Sequence, residues 1–67
     1  MKVSIDKFSK GPVYLQIADQ IKSQIISGAL PRGSALPSER ALAQILDVHR
    51  NTVVKAYSEL KSDAWIE

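Results

Sequence analysis

Arg50, Asn51, Thr52 and Lys55 lie within six consecutive positions, and their side chains offer donors of very different geometry. A guanidinium or a carboxamide can make two parallel hydrogen bonds to one planar edge, as a base presents in a DNA groove. A lysine ammonium is a mobile point charge suited to a phosphate. Upstream stand Ser38 and Arg40, a hydroxyl and a second guanidinium, and His49 directly precedes the cluster. Enzyme chemistry finds no such grouping. One histidine, no cysteine and no paired carboxylates beside a glycine loop leave no acid–base or nucleophilic set, and no metal site. We therefore assign no catalytic residue, no metal ligand and no cofactor to this chain.

The element that must position the cluster is Val48-His49-Arg50-Asn51-Thr52-Val53-Val54-Lys55-Ala56-Tyr57-Ser58-Glu59-Leu60. At about 100° per residue, Val53, Ala56, Tyr57 and Leu60 share one side of a helix, the spacing of a core-facing stripe. The other side centres on Asn51, Lys55 and Ser58, with Arg50 and Val54 on one edge and Thr52 and Glu59 on the other. A DNA major groove accepts such a helix. The same pattern, taken alone, equally describes a solvated amphipathic surface helix.

Composition narrows the setting without deciding it. Sixty-seven residues make one small domain, with 45% apolar and 24% charged residues, an ordinary globular balance. Nine Lys/Arg against seven Asp/Glu give a net charge of +2, only a mild bias toward a polyanion. No apolar run approaches the roughly 18 residues of a membrane helix, and no signal peptide opens the chain. With no cysteine to pair, the expected compartment is a reducing cytoplasm.

In chain order, residues 1–11 read as an amino-terminal arm and residues 12–67 as the domain. Val3 and Ile5 alternate with polar neighbours, a weak strand or an arm made basic by Lys2, Lys7 and Lys10; the plainer expectation is a loosely ordered terminus. Gly11-Pro12 punctuates the start of a helix over 12–27, with Val13, Tyr14, Ile17, Ala18, Ile21 and Ile25 as its apolar stripe. Gly28 and Pro31 stop it. In the turn-rich connector that follows, only Ala35-Leu36 is free of proline and glycine and able to pair as a short strand. Ser38 then caps a short helix over 39–46, with Glu39 favourable to its dipole and Leu42, Ile45 and Leu46 inward. Asp47-Val48-His49 is the whole link to the third helix, over 50–62, and three residues between two short helices is helix-turn-helix spacing. Asp47 tolerates the φ > 0 that such a turn demands. Val48 should pack inward, and His49 should cap the third helix or face solvent. Ala64-Trp65-Ile66-Glu67 reads as the opening of a strand, with Trp65 in the core or an interface.

Leu36-Pro37-Ser38-Glu39-Arg40-Ala41-Leu42-Ala43 and Val48-His49-Arg50-Asn51-Thr52-Val53 closely resemble the amino-terminal DNA-binding domain of the GntR family of bacterial transcription regulators. The family pattern reads L-P-S-E-R-x-L-A, then V-S-R-x-T-V, at this separation. The resemblance covers about residues 12 to 67. It implies a mainly α, three-helix winged helix-turn-helix with a minimal β component, the third helix in the major groove of an operator and a β-hairpin wing beside it. It implies that Arg40 contacts the backbone or a base near the groove edge, and that Arg50 is the main base reader with Asn51 and Thr52 beside it. Ser38 would present helix-terminal N–H groups to a phosphate, and His49 and Lys55 would add phosphate contacts.

The segments Asn51-Thr52-Val53 and Lys55-Ala56-Tyr57 look most like two branches of the family. One carries an aminotransferase-like domain that binds pyridoxal phosphate, the other a short helical dimerisation tail. The resemblance thus implies a homodimer, with any small-molecule effector or pyridoxal phosphate held by a carboxy-terminal domain beyond these residues. Three positions depart from the pattern: His49 where Ser or Thr is usual, Asp47 and Ala64 where glycine is usual. The sequence also stops at Glu67, ahead of the wing's turn and returning strand, which reads as a truncated wing. The competing expectation is a small helical protein-interaction module docking through Tyr14, Trp65 and Val54.

Overall fold

The apolar stripe after Gly11-Pro12 folds as α1, Val13–Ser27; it is followed by α2, Glu39–Leu46, and α3, Arg50–Ser62. The structure, a computed structural model, describes residues 2–6 and 8–66. Pro12 serves as the N-cap of α1 rather than its first residue, a one-residue difference that helix ends commonly show. The core draws Ile17, Ala18 and Ile21 from α1, Leu42 and Ala43 from α2, and Val53, Ala56, Tyr57 and Leu60 from α3, with Leu30 from the connector. Both other helices pack on α3. Its stripe of buried residues therefore joins the domain, and its opposite side is left free.

All three helices end on a left-handed residue. Gly28 (φ 84°) ends α1, Asp47 (φ 55°) ends α2 and Ala64 (φ 61°) follows α3. At Asp47 and Ala64 the hydrogen bonds form a Schellman pair. The Asp47 N–H donates to Gln44 O at 3.3 Å and Val48 N–H to Ala43 O at 3.0 Å. The Ala64 N–H donates to Lys61 O at 3.0 Å and Trp65 N–H to Leu60 O at 2.8 Å. In each case the apolar residue after the left-handed one, Val48 or Trp65, packs back on the core.

This ending corrects the strand expectation. No strand forms among the described residues. The N–H of Trp65 is already bonded to the end of α3 and cannot join a ladder there, and Pro31, Gly33 and Pro37 leave Ala35-Leu36 too short to pair alone. Glu67 lies outside the described residues. The side chains of Leu36, Trp65 and Ile66 still turn inward and border, with Tyr57, a groove of about 440 Å³. Because an L-residue with φ > 0 is strained, Ala64→Gly is expected to stabilise the domain by about 1 kcal/mol. A thermal melt should register this as a rise of roughly 4–8 °C; an unchanged or lower Tm would show that Ala64 carries no strain.

Two further expectations are corrected. Ile45 is 71% exposed rather than inward. The buried arc of α2 is set by Leu42, Ala43 and Leu46, and Ile45 lies about 100° from its centre. The arm is not loose either, over the residues described. Gln16, Gln20 and Gln24 of α1 reach out with their amides and bond the backbone of Asp6, Ser4 and Lys2 in turn. Four residues of helix advance about 6 Å and two residues of extended chain about 6.6 Å, so the two periods stay in register over this length. Alternate backbone groups of the arm thus find helix side chains as partners, while Val3 and Ile5 pack against the core. Met1 and Lys7, part of the basic arm expected from sequence, lie outside the described residues, and Phe8 is fully exposed.

Candidate nucleic-acid interface

The geometry of the α2–α3 corner begins with Ser38. Its Oγ accepts from the Ala41 N–H at 3.0 Å, satisfying one of the free donors at the start of α2. One residue earlier, the Pro37 carbonyl accepts from the Tyr57 hydroxyl at 2.7 Å. That bond ties the entrance of α2 to the middle of α3. Burial, and secondarily the Glu39 carboxylate, push the Tyr57 phenol above its ordinary pKa, so it remains a donor. At the other end of α2, Asp47 and the inward-packed Val48 set the turn, and His49 caps α3 by accepting from the Asn51 N–H at Nδ1, 3.2 Å. With Nδ1 accepting in the cap, Nε2 is the ring's available donor, on a residue that is exposed.

These supports bring most of the sequence-predicted residues to one corner. Ser38, Arg40, His49, Arg50, Asn51 and Lys55 are exposed and Thr52 is half-buried. Arg40 and Arg50, ten positions apart in sequence, line a single open hollow of about 460 Å³ with Ala43, Gln44, Asp47 and Val48. Such a concavity, with two guanidiniums at its wall, suits an anionic backbone. Lys55 stands away from it: its Nζ lies 5.8 Å from the centre of the Tyr14 ring, a cation–π distance. Eight residues further along both chain segments, Lys22 of α1 pairs with Asp63 just past α3 at 3.6 Å, so the two helices advance together between these contacts.

Sequence reasoning missed three members of this surface. Glu39 does more than complement the α2 dipole, because its Oε1 lies 3.7 Å from Nη2 of Arg50. Gln44 shares the hollow with the two arginines. Tyr14 proved to be the platform under Lys55 rather than a residue of the core stripe alone. Each is a pairing across helices, and no periodicity within one helix reveals it. The groups proposed for the competing docking surface do not form one: Tyr14, Trp65 and Val54 are half-buried, and Tyr14 and Trp65 pack against the core. Among the described residues no group of acidic, histidine or cysteine side chains could hold a metal ion. Among the same residues no helix is long and apolar enough to cross a membrane.

Known proteins resemble this chain in sequence and in fold. The family model described as bacterial regulatory proteins, gntR family, matches residues 13–67. The HTH-type transcriptional repressor YtrA of Bacillus subtilis is 43% identical over 65 residues, covering 97% of this chain and 50% of that protein. The HTH-type transcriptional repressor NagR of the same organism is 41% identical over 61 residues, 91% of this chain and 25% of its own length. Among solved structures, the GntR-family transcription factor YtrA from Sulfolobus acidocaldarius superposes with a TM-score of 0.88 at 49% identity, covering 91% of this chain and 65% of that one. This chain thus spans half or less of the length of these two Bacillus repressors. The match over residues 13–67, together with the shared three-helix structure, shows that the chain belongs to the gntR family of bacterial regulatory proteins and carries that family's DNA-binding helix-turn-helix domain.

Proposed function

We propose that this domain reads duplex operator DNA for a transcription regulator, with the amino-terminal end of α3 in the major groove. The observation that carries the reading is the corner itself. Arg50 and Asn51 stand exposed in the first turn of α3 with Thr52 half-buried beside them, Arg40 shares a hollow with Arg50, and the Val53, Ala56, Tyr57 and Leu60 side of α3 is buried. In this reading Arg50 bonds the two acceptors of a guanine, and Asn51 those of an adenine or a neighbouring phosphate. Thr52 contacts a base or phosphate beside them. Arg40, the His49 Nε2–H and the amino terminus of α2 at Ser38 fix the backbone. The half-buried rim position of Val54 suits a thymine methyl.

The rest of the proposal concerns the whole protein. A homodimer would present two such helices to half-sites about 10 bp or a multiple apart. A small-molecule effector, or pyridoxal phosphate, would be held by a domain outside these residues, and the protein would work in the cytoplasm, where bacterial DNA lies. Membership of a family of regulators argues against the enzyme reading, and the polar outward face of α3 argues against the protein-docking one.

Fluorescence anisotropy with random-sequence duplex tests the reading. Binding should be measurable at low salt and should weaken as salt rises, with a log–log slope of about −0.9 per phosphate engaged. A folded domain that binds no duplex at low salt would contradict it. In the same assay Lys55→Ala should weaken binding to every sequence alike and reduce the slope by about one phosphate. A sequence-dependent loss would assign Lys55 to base reading instead.

A further inference from the structure

Arg50 is the exposed guanidinium on which sequence reading depends, and an arginine at a DNA surface has two kinds of acceptor within reach. Phosphates are anionic and present at every position; guanine edges are neutral and present only where the sequence supplies them. What decides between them is the charge around the guanidinium. In this structure Nη2 of Arg50 stands 3.7 Å from Oε1 of Glu39. The backbone at Glu39 is anchored by its neighbours. Glu39 follows the Ser38 cap, it begins α2, and it comes two residues after Pro37, whose carbonyl is bonded to Tyr57 of α3. The backbone that carries the carboxylate is therefore tied to the helix that carries Arg50, and the carboxylate is the more buried partner, with its side chain 35% exposed against 59%.

We infer that Glu39 is a positioning residue for Arg50, standing at ion-pair distance beside its guanidinium and repelling phosphate, so that the guanidinium is turned to a neutral base edge. The inference rests on α3 being the DNA-reading helix. A carboxylate beside the arginine lowers attraction to any DNA, since it opposes the phosphates. It lowers it most where Arg50 would otherwise bind a phosphate, and least where Arg50 meets guanine. Sequence preference rises at the expense of general affinity, the kind of discrimination by repulsion that specific interfaces use.

The competing explanation is that Glu39 serves only the α2 dipole and the net charge. Under that explanation Glu39→Gln would tighten all duplexes equally. The test is a double-mutant cycle on the chain, comparing Kd for random duplex with Kd for the tightest duplex recovered from a randomised pool, in wild type, Glu39→Gln, Arg50→Ala and the double variant. Circular dichroism confirms that each is folded. For an exposed pair the expected change is up to about fivefold. Glu39→Gln should tighten random duplex more than selected duplex and so shrink the specificity ratio by that factor, and it should leave the ratio unchanged when Arg50 is already alanine. Equal tightening of both duplexes, or the same shrinkage without Arg50, overturns the role given to Glu39 while leaving the DNA-reading helix intact. Absence of any salt-dependent duplex binding by the wild type overturns both.

Discussion

Arg50→Ala should lose about 1–3 kcal/mol of binding to the preferred duplex, and the loss should concentrate at one base pair. Arg50 opens α3 beyond the His49 cap, is exposed, and shares its hollow with Arg40. In the proposed reading, removing it deletes a bidentate base contact together with one unit of charge. The charge is felt by every sequence and the bidentate contact by only one. Titrating the variant against a set of duplexes with single base-pair changes separates the two. At the position read by Arg50, wild type should discriminate and the variant should not, while preferences at other positions persist. A uniform loss across the set would reduce Arg50 to a phosphate contact.

The second large effect concerns the core that holds α3. Leu60→Ala is expected to cost about 2–5 kcal/mol, because the side chain is fully buried and its removal leaves a cavity that three short helices cannot close. For a domain of 67 residues the whole folding free energy is of order 3–10 kcal/mol. The variant should therefore be largely unfolded near 37 °C, or melt tens of degrees below wild type. Urea unfolding followed by far-UV circular dichroism checks this. Since Leu60 is buried and lies ten residues, about 15 Å, along α3 from Arg50, any DNA-binding loss at low temperature should scale with the unfolded fraction. A folded Leu60→Ala domain that fails to bind would show that α3 geometry is more delicate than its packing suggests.

Much of the fold was legible because its signals are local. The apolar spacing in α1 and α3, proline before α1 and serine before α2 gave each helix to within a residue. Asp47 and Ala64 announced themselves in the same way: each stood where a glycine would be expected, and each has φ > 0. The second of these had a consequence that the sequence reading missed. The left-handed turn at Ala64 folds Trp65 back onto the end of α3, which removes the strand expected to begin there. Ile45 misled because an apolar residue one turn from Leu42 looks inward until the arc shared with α3 is known.

The exposed groups at the α2–α3 corner could be named in sequence, but their pairings could not. Arg40, Arg50, Asn51 and Lys55 could be named from a motif and a helical face. That Glu39 meets Arg50, that Tyr14 lies under Lys55 and that Tyr57 bonds the carbonyl before Ser38 depend on how α1 and α2 cross α3. The arm shows the same limit. Three glutamines at four-residue spacing look like a solvated face, and only the chain lying along them reveals an amide ladder.

The central claim is that DNA meets the corner formed by the start of α2 and the start of α3. Titrating an isotopically labelled chain with a short duplex, and following each backbone amide by NMR, tests it most directly. The largest shifts should fall at residues 38–40 and 49–55, with little change at Ile26 in the last turn of α1 and at Ala29 just past it. Shifts centred on the groove bordered by Leu30, Leu36 and Trp65, with residues 49–52 unmoved, would contradict it.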